Sequence, residues 1–207
     1  SLGGAGRRLG GYESSRATFF PEGAAPSAGE VFRQPDLART LGRIRDQGAG
    51  GFYTGETADL IVAEMARGGG HLTLEDLAGY EAVRRDPVRF QYRGYTLYSM
   101  SPPSSGGATL ALMAHMLEGY DVASLGWHST REIHLLTETW KRAFADRNEA
   151  LADPDFVDIP LERMVSPEHA AERAAEISWD RATPSNSVGT ELGVAEGSET
   201  THLSVVD

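Results

Sequence analysis

From about residue 34 onward, apolar positions recur mostly at the three- and four-residue spacing of helices. Gln34-Pro35-Asp36 opens the first helix, because Pro fits a first turn and Asp suits the positive end of the helix dipole. Leu37, Leu41 and Ile44 follow on one face, and Gly48 stops it. A second helix is predicted from about Glu56 to Arg67, with Leu60, Ile61 and Met65 inward and Gly68-Gly69-Gly70 after it. Thr73 to Asp76 resembles a capping box and starts a short helix. The period then changes to two. Residues 88–92 and 95–98 read as strands joined at Arg93-Gly94 in a hairpin.

Helical spacing returns after Pro102-Pro103-Ser104-Ser105-Gly106-Gly107, a rigid-then-flexible loop. The next helix carries Leu110, Met113, Ala114 and Leu117 on one stripe. Ser129 and Glu132 cap the longest helix, about 130–150, with Ile133, Leu136, Trp140 and Phe144 expected inward, and Asp153-Pro154-Asp155 breaks it. Ser166-Pro167-Glu168 starts another helix, through about Ile177. Residues 1–30, rich in Gly, Ser, Ala and Pro, read as loop, and residues 180–199 as an exposed, mobile loop. Thr201 to Val206 closes as a strand. The pattern is α+β and helix-dominated, with no repeat of 20–50 residues.

Length and composition narrow the function classes. The chain has 207 residues, 40% hydrophobic and 24% charged, so one or two globular domains are expected. No apolar run reaches the roughly 18 residues that cross a bilayer. There is no cysteine, which excludes disulfides, thiolate catalysis and cysteine-bound zinc. The net charge of −11 argues against nucleic acid or an anionic membrane as a partner. That charge is concentrated: residues 146–207 carry 4 basic and 14 acidic side chains. The Gly-rich start without Met and the stop within a strand-like stretch lead us to expect a piece of a larger chain.

Most candidate chemistry dissolves on inspection. The histidines at 71, 115, 128, 134, 169 and 202 show no metal-ligand spacing and no HExxH. Asp153, Asp155 and Asp158 lack the order of a calcium loop and read as a helix-ending turn. Ser104-Ser105-Gly106-Gly107 reads first as a rigid turn. An anion nest at the helix start is a second reading, and a nucleophile elbow fails because Gly-x-Ser-x-Gly is not met. The stretch from Glu199 to Asp207 differs: it places Thr at the start of a strand, after a flexible loop. Were the bond before that Thr cut, its amine would sit beside its own hydroxyl. An α-amine titrates near pH 7.7–8.0, so a useful fraction could act as base.

Eight segments together resemble the gamma-glutamyltransferase (gamma-glutamyltranspeptidase) family of N-terminal nucleophile hydrolases. They are residues 34–38, 51–55, 72–77, 92–95, 101–107, 145–147 and 153–156, and Thr200-Thr201-His202-Leu203-Ser204-Val205-Val206-Asp207. The likeness covers nearly the whole chain from about residue 30.

The resemblance implies a precursor that cuts itself between Glu199 and Thr200, with Thr200 becoming the catalytic nucleophile. Residues 1–199 would then belong to a large subunit and residues 200–207 would begin a small one, whose remainder is the expected partner. It implies gamma-glutamyl transfer from glutathione or a related amide to water, amino acids or peptides, through a threonine ester. No metal or organic cofactor is implied, and a periplasmic or secreted location is. It further implies a contribution to a four-layer αββα sandwich, with apolar faces uncovered in this segment. The family's substrate-gripping Arg, oxyanion Gly-Gly pair and substrate-binding Ser-Ser pair are expected outside residues 1–207, so the segment alone is expected to be inactive. The alternatives are a related amidohydrolase of the cephalosporin acylase or poly-gamma-glutamate transpeptidase type, and a non-catalytic relative.

Overall fold

The computed structural model describes residue 6, residues 8–190 and residue 192. The expected strand at 201–206 lies outside them. Two compact units divide at residues 83 and 84.

In the N-terminal unit, helices span Glu13–Phe19 (α1), Pro35–Gln47 (α2), Gly50–Tyr53 (α3), Gly55–Gly68 (α4) and Leu74–Ala78 (α5). Helix α1 corrects the expected loop over residues 1–30. Its segment contains neither Gly nor Pro, and composition averaged over thirty residues hid it. Thr18 donates to the Ser14 carbonyl at 2.9 Å, and Phe19 stacks on Phe32. The capping box at α5 forms as expected, with Thr73 and Asp76 satisfying each other's backbone N–H. Gly51 is needed for close approach: a Cβ there would lie 2.2 Å from the Arg43 carbonyl oxygen. The inward side chains are fewer than expected. Among the described residues of this unit only Gly51, Thr57, Ala58 and Leu77 are buried, while Leu37, Leu41 and Leu60 face solvent.

The C-terminal unit holds the core. Val88–Tyr92 (β1) and Tyr95–Ser99 (β2) pair antiparallel, Val88 opposite Ser99, and the turn residues Arg93 and Gly94 both take positive φ. Helices span Gly106–Glu118 (α6), Thr130–Ala150 (α7), Leu161–Met164 (α8) and Pro167–Ala175 (α9). Val88 and Phe90 pack on Ala111 and Ala114 of α6. Burying a side chain such as Phe90 contributes roughly 1.5–3 kcal/mol. A second cluster joins Ala108, Leu112 and Met116 of α6 to Ala143, Ala150, Met164, Ala170 and Leu192. Gly107 lets α6 start against the strand end, since a Cβ there would lie 2.2 Å from the Met100 carbonyl oxygen. This supports the rigid-turn reading of Ser104 to Gly107.

Three details differ from the sequence reading. Leu110 is 45% exposed, and α6 turns Ala108, Ala111, Leu112 and Met116 inward instead. A helix that is apolar nearly all round gives periodicity no side to choose. In α7 three of the four expected inward residues turn outward: Ile133, Trp140 and Phe144 are 53%, 54% and 51% exposed and only Leu136 is half-buried, whereas Glu138, Arg142 and Asp146 are buried. Residues 181–190 are largely exposed, as expected, but are tied to α7 and α9 by hydrogen bonds at Thr183 and Gly189.

Candidate functional site

The sequence-derived site residues, Glu199 and Thr200, lie outside the described residues. What is described is the path of the chain toward them and the elements that hold it.

Glu138, Arg142 and Asp146 repeat every four residues and therefore share one face of α7. Each has a partner from another element or from its own turn. Glu138 pairs with Lys141 and, at 2.7 Å, with Arg142. It also accepts the backbone N–H of Thr183 at 2.9 Å. Lys141 donates to the Thr183 carbonyl, and Arg142 to the Glu176 carbonyl at 2.8 Å. Asp146 lies 2.7 Å from His169 Nε2 and 3.3 Å from the Arg173 guanidinium. Arg173 donates to Glu176 at 2.8 Å and to the Gly189 carbonyl at 2.9 Å.

Isolated charges this deep would be strongly disfavoured; pairing and hydrogen bonding make them tolerable. Burial alone would push the Glu138 carboxyl up. Its bonds to Lys141, Arg142 and Thr183 outweigh that and hold it at about 2. The same network fixes the strand of chain after α9 at two points, Thr183 and Gly189. Leu192, 6% exposed, adds an apolar anchor in the core.

A cleft of about 610 Å³ runs between α9 and this segment, lined by Arg142, Arg163, His169, Arg173 and Gly189 among others. A larger cleft, about 1060 Å³, lies in the N-terminal unit between Thr18, Phe19, Phe32 and Leu37, and holds none of the sequence-derived site residues. Among the described residues no three His, Asp or Glu side chains gather as a metal site. Asp155 instead accepts from Arg85 at 3.0 Å, and its backbone N–H donates to the Asp153 carboxylate at 3.0 Å within the turn. Of the histidines, His169 is taken up by Asp146, and His134 bonds the Ser178 carbonyl at 2.7 Å.

Sequence reasoning missed the ionic cluster. Asp146 appeared only as one residue of a matching segment, and Glu138, Arg142 and Arg173 not at all. The available signal was the four-residue repeat of alternating charge on the face opposite Trp140 and Phe144.

A solved structure, the gamma-glutamyltranspeptidase of Helicobacter pylori, superposes with a TM-score of 0.84 at 40% identity, covering 96% of this chain and 57% of that one. The gamma-glutamyltranspeptidase family model matches residues 5–207. The chain belongs to that family. It is 40% identical over 197 residues to the glutathione hydrolase proenzyme of Escherichia coli (strain K12), which covers 95% of this chain and 34% of the relative. It is 39% identical over 191 residues to the acylase ACY 1 proenzyme of Pseudomonas sp. (strain SE83), covering 92% and 34%. The chain thus spans about a third of the length of these curated relatives.

Proposed function

We propose that the chain belongs to a precursor that cleaves itself between Glu199 and Thr200 and then transfers gamma-glutamyl groups through Thr200. Residues 1–199 end the large subunit on this reading, and residues 200–207 begin the small one. The observation that carries it is the Thr200-Thr201-His202 motif inside a family match that runs to residue 207.

In the first stage the Thr200 hydroxyl oxygen attacks the Glu199 carbonyl carbon. The C–O bond forms, the C–N bond breaks, and the hydroxyl proton ends on the released amine. Water then splits the ester, giving the Glu199 carboxylate and restoring the hydroxyl. In the second stage the free amine, titrating at about 7.7–8.0, takes the proton from the same hydroxyl. The oxygen attacks the gamma-carbonyl of glutathione or a related amide, and the amine leaves with that proton. Water or an amino acid then accepts the acyl group. Two acyl transfers replace one difficult amide exchange. While the bond before Thr200 is intact, its nitrogen is an amide and no base. The uncut chain is therefore inactive on this reading.

The test is a gamma-glutamyl anilide assay on the full-length gene product and its Thr200→Ala variant. Loss of essentially all turnover in the variant is expected; undiminished turnover rejects the reading. The acylase relative supports a second reading, the same Thr200 chemistry on another acyl amide. Faster turnover of a non-glutamyl acyl amide than of the gamma-glutamyl anilide would favour it.

A further inference from the structure

After α9 the chain runs alongside α7, and one row of α7 side chains holds it. Arg131, His134, Glu138 and Lys141 follow one another at three- and four-residue spacing, so they line one side of the helix. Each meets the returning chain. The Arg131 guanidinium lies 5.0 Å from the centre of the Trp179 ring, and His134 Nε2 bonds the Ser178 carbonyl at 2.7 Å. Glu138 accepts the Thr183 N–H at 2.9 Å, and Lys141 donates to the Thr183 carbonyl. From α9, Arg173 clamps the Gly189 carbonyl at 2.9 Å, and Leu192 then enters the core. All four hydrogen bonds are to main-chain atoms, which fix where the chain goes whatever its side chains are.

Exposure alone predicts a vulnerable segment. Arg181, Ala182 and residues 184–187 face solvent, and exposed loops of small polar residues are preferred places for proteolytic nicking. A protease must, however, take the residues around the bond as an extended strand and hydrogen-bond their main chain itself. Next to the Arg181–Ala182 bond, the N–H and carbonyl of Thr183 are already taken by Glu138 and Lys141, whose side chains are 1% and 15% exposed. Pro184 follows and has no N–H to offer.

We infer that residues 178–190 form a strap that Glu138 and Lys141 lock against proteolysis, by keeping the main chain of Thr183 from any protease that would cut after Arg181. Cutting then follows the fraction of molecules whose strap has lifted at Thr183. The anchors at Ser178 and Gly189 stay in place, so this opening is local and needs no unfolding of α7 or α9. The inference concerns the integrity of the chain and stands apart from the chemistry proposed for Thr200.

The test is limited trypsin digestion of the full-length protein, with mass spectrometry reading the new amine at Ala182. Cutting after Arg142, which is buried within α7, reports global unfolding in the same digest. In the wild type the Arg181–Ala182 bond should be cut about a hundredfold slower than in a free peptide of residues 178–187, each of the two bonds at Thr183 contributing about tenfold. Lys141→Met removes the donor to the Thr183 carbonyl and leaves Glu138 paired with Arg142. It should speed cutting after Arg181 about tenfold and leave cutting after Arg142 unchanged, with partial recovery in Lys141→Arg. Thr183→Ala keeps both main-chain bonds and should stay as resistant as the wild type. Wild-type cutting as fast as in the peptide, or Lys141→Met cutting at the wild-type rate, overturns the proposal. So does equal acceleration after Arg181 and Arg142, which would make Lys141 a prop of the whole fold rather than a lock on the strap.

Discussion

Helices α6 and α7 pack against each other, yet only α7 buries a row of charged side chains. Helix α6 buries Ala108, Ala111, Leu112 and Met116; α7 buries Leu135, Ala143 and Ala150 but beside them Glu138, Arg142 and Asp146, and turns Trp140 and Phe144 outward. The first is held by area removed from water, which is non-directional and tolerant. The second adds to such burial paired charges whose partners must be at particular places, and those partners include main-chain atoms of residues 183 and 189. The difference teaches that hydrophobic spacing identifies a helix without identifying its inner face. A polar row can win that face when enough partners converge on it.

The contrast can be broken first at Glu138. Glu138→Ala leaves Lys141 without its carboxylate and Arg142 with Glu176 alone, 3.2 Å away, and breaking a buried pair costs about 4 kcal/mol. Amide hydrogen exchange of α7 in the full-length protein should accelerate about a thousandfold, on the basis that 1.4 kcal/mol is tenfold. Exchange near the wild-type rate would mean the cluster is not a structural centre. In α6 the matching cut is Leu112→Ala, a buried large-to-small change expected to cost roughly 3 kcal/mol. Its effect should not depend on pH between about 6 and 3, where carboxylates titrate and a leucine does not.

Acid separates the two helices more finely. Glu138 is held at about 2, below its ordinary 4.5. A carboxylate lowered by folding stabilises fully above its unfolded value, and that contribution fades as pH falls from 4.5 toward 2. The most it can supply is about 3 kcal/mol. Exchange from α7 should therefore rise through that window, and Glu138→Gln should remove this component. An unchanged pH profile in the Gln variant would contradict the assignment.

The smallest effect concerns the outward face. Trp140→Ser should change stability by less than about 0.5 kcal/mol, because the ring is already half exposed. It should instead reduce self-association of the 207-residue chain in sedimentation, since exposed apolar stripes are adhesive. A large loss of stability with unchanged association would show that the ring is packed after all.

Much of the fold was legible. The hairpin was, because Arg93-Gly94 suits a tight turn between alternating strands. Capping residues Thr73, Ser129 and Ser166 were, because a side-chain oxygen at the helix start is a local signal. The inner faces of α6 and α7 were not, since each depends on which elements pack there. Helix α1 was masked by its Gly-rich surroundings. The family was readable from ordered short segments, two of which mark close backbone approaches, at Gly51 and Gly107. The clamp on Thr183 and Gly189 was invisible because it is made to main-chain atoms, which leave no residue signature.

The central claim is that Thr200 becomes a chain end. The direct measurement is the intact mass of the freshly made full-length protein over time, beside its Thr200→Ala variant. Conversion into two pieces, the smaller beginning at Thr200, with the variant remaining whole, is the expected result. A wild-type protein that stays one chain while turning over gamma-glutamyl anilide would contradict the account.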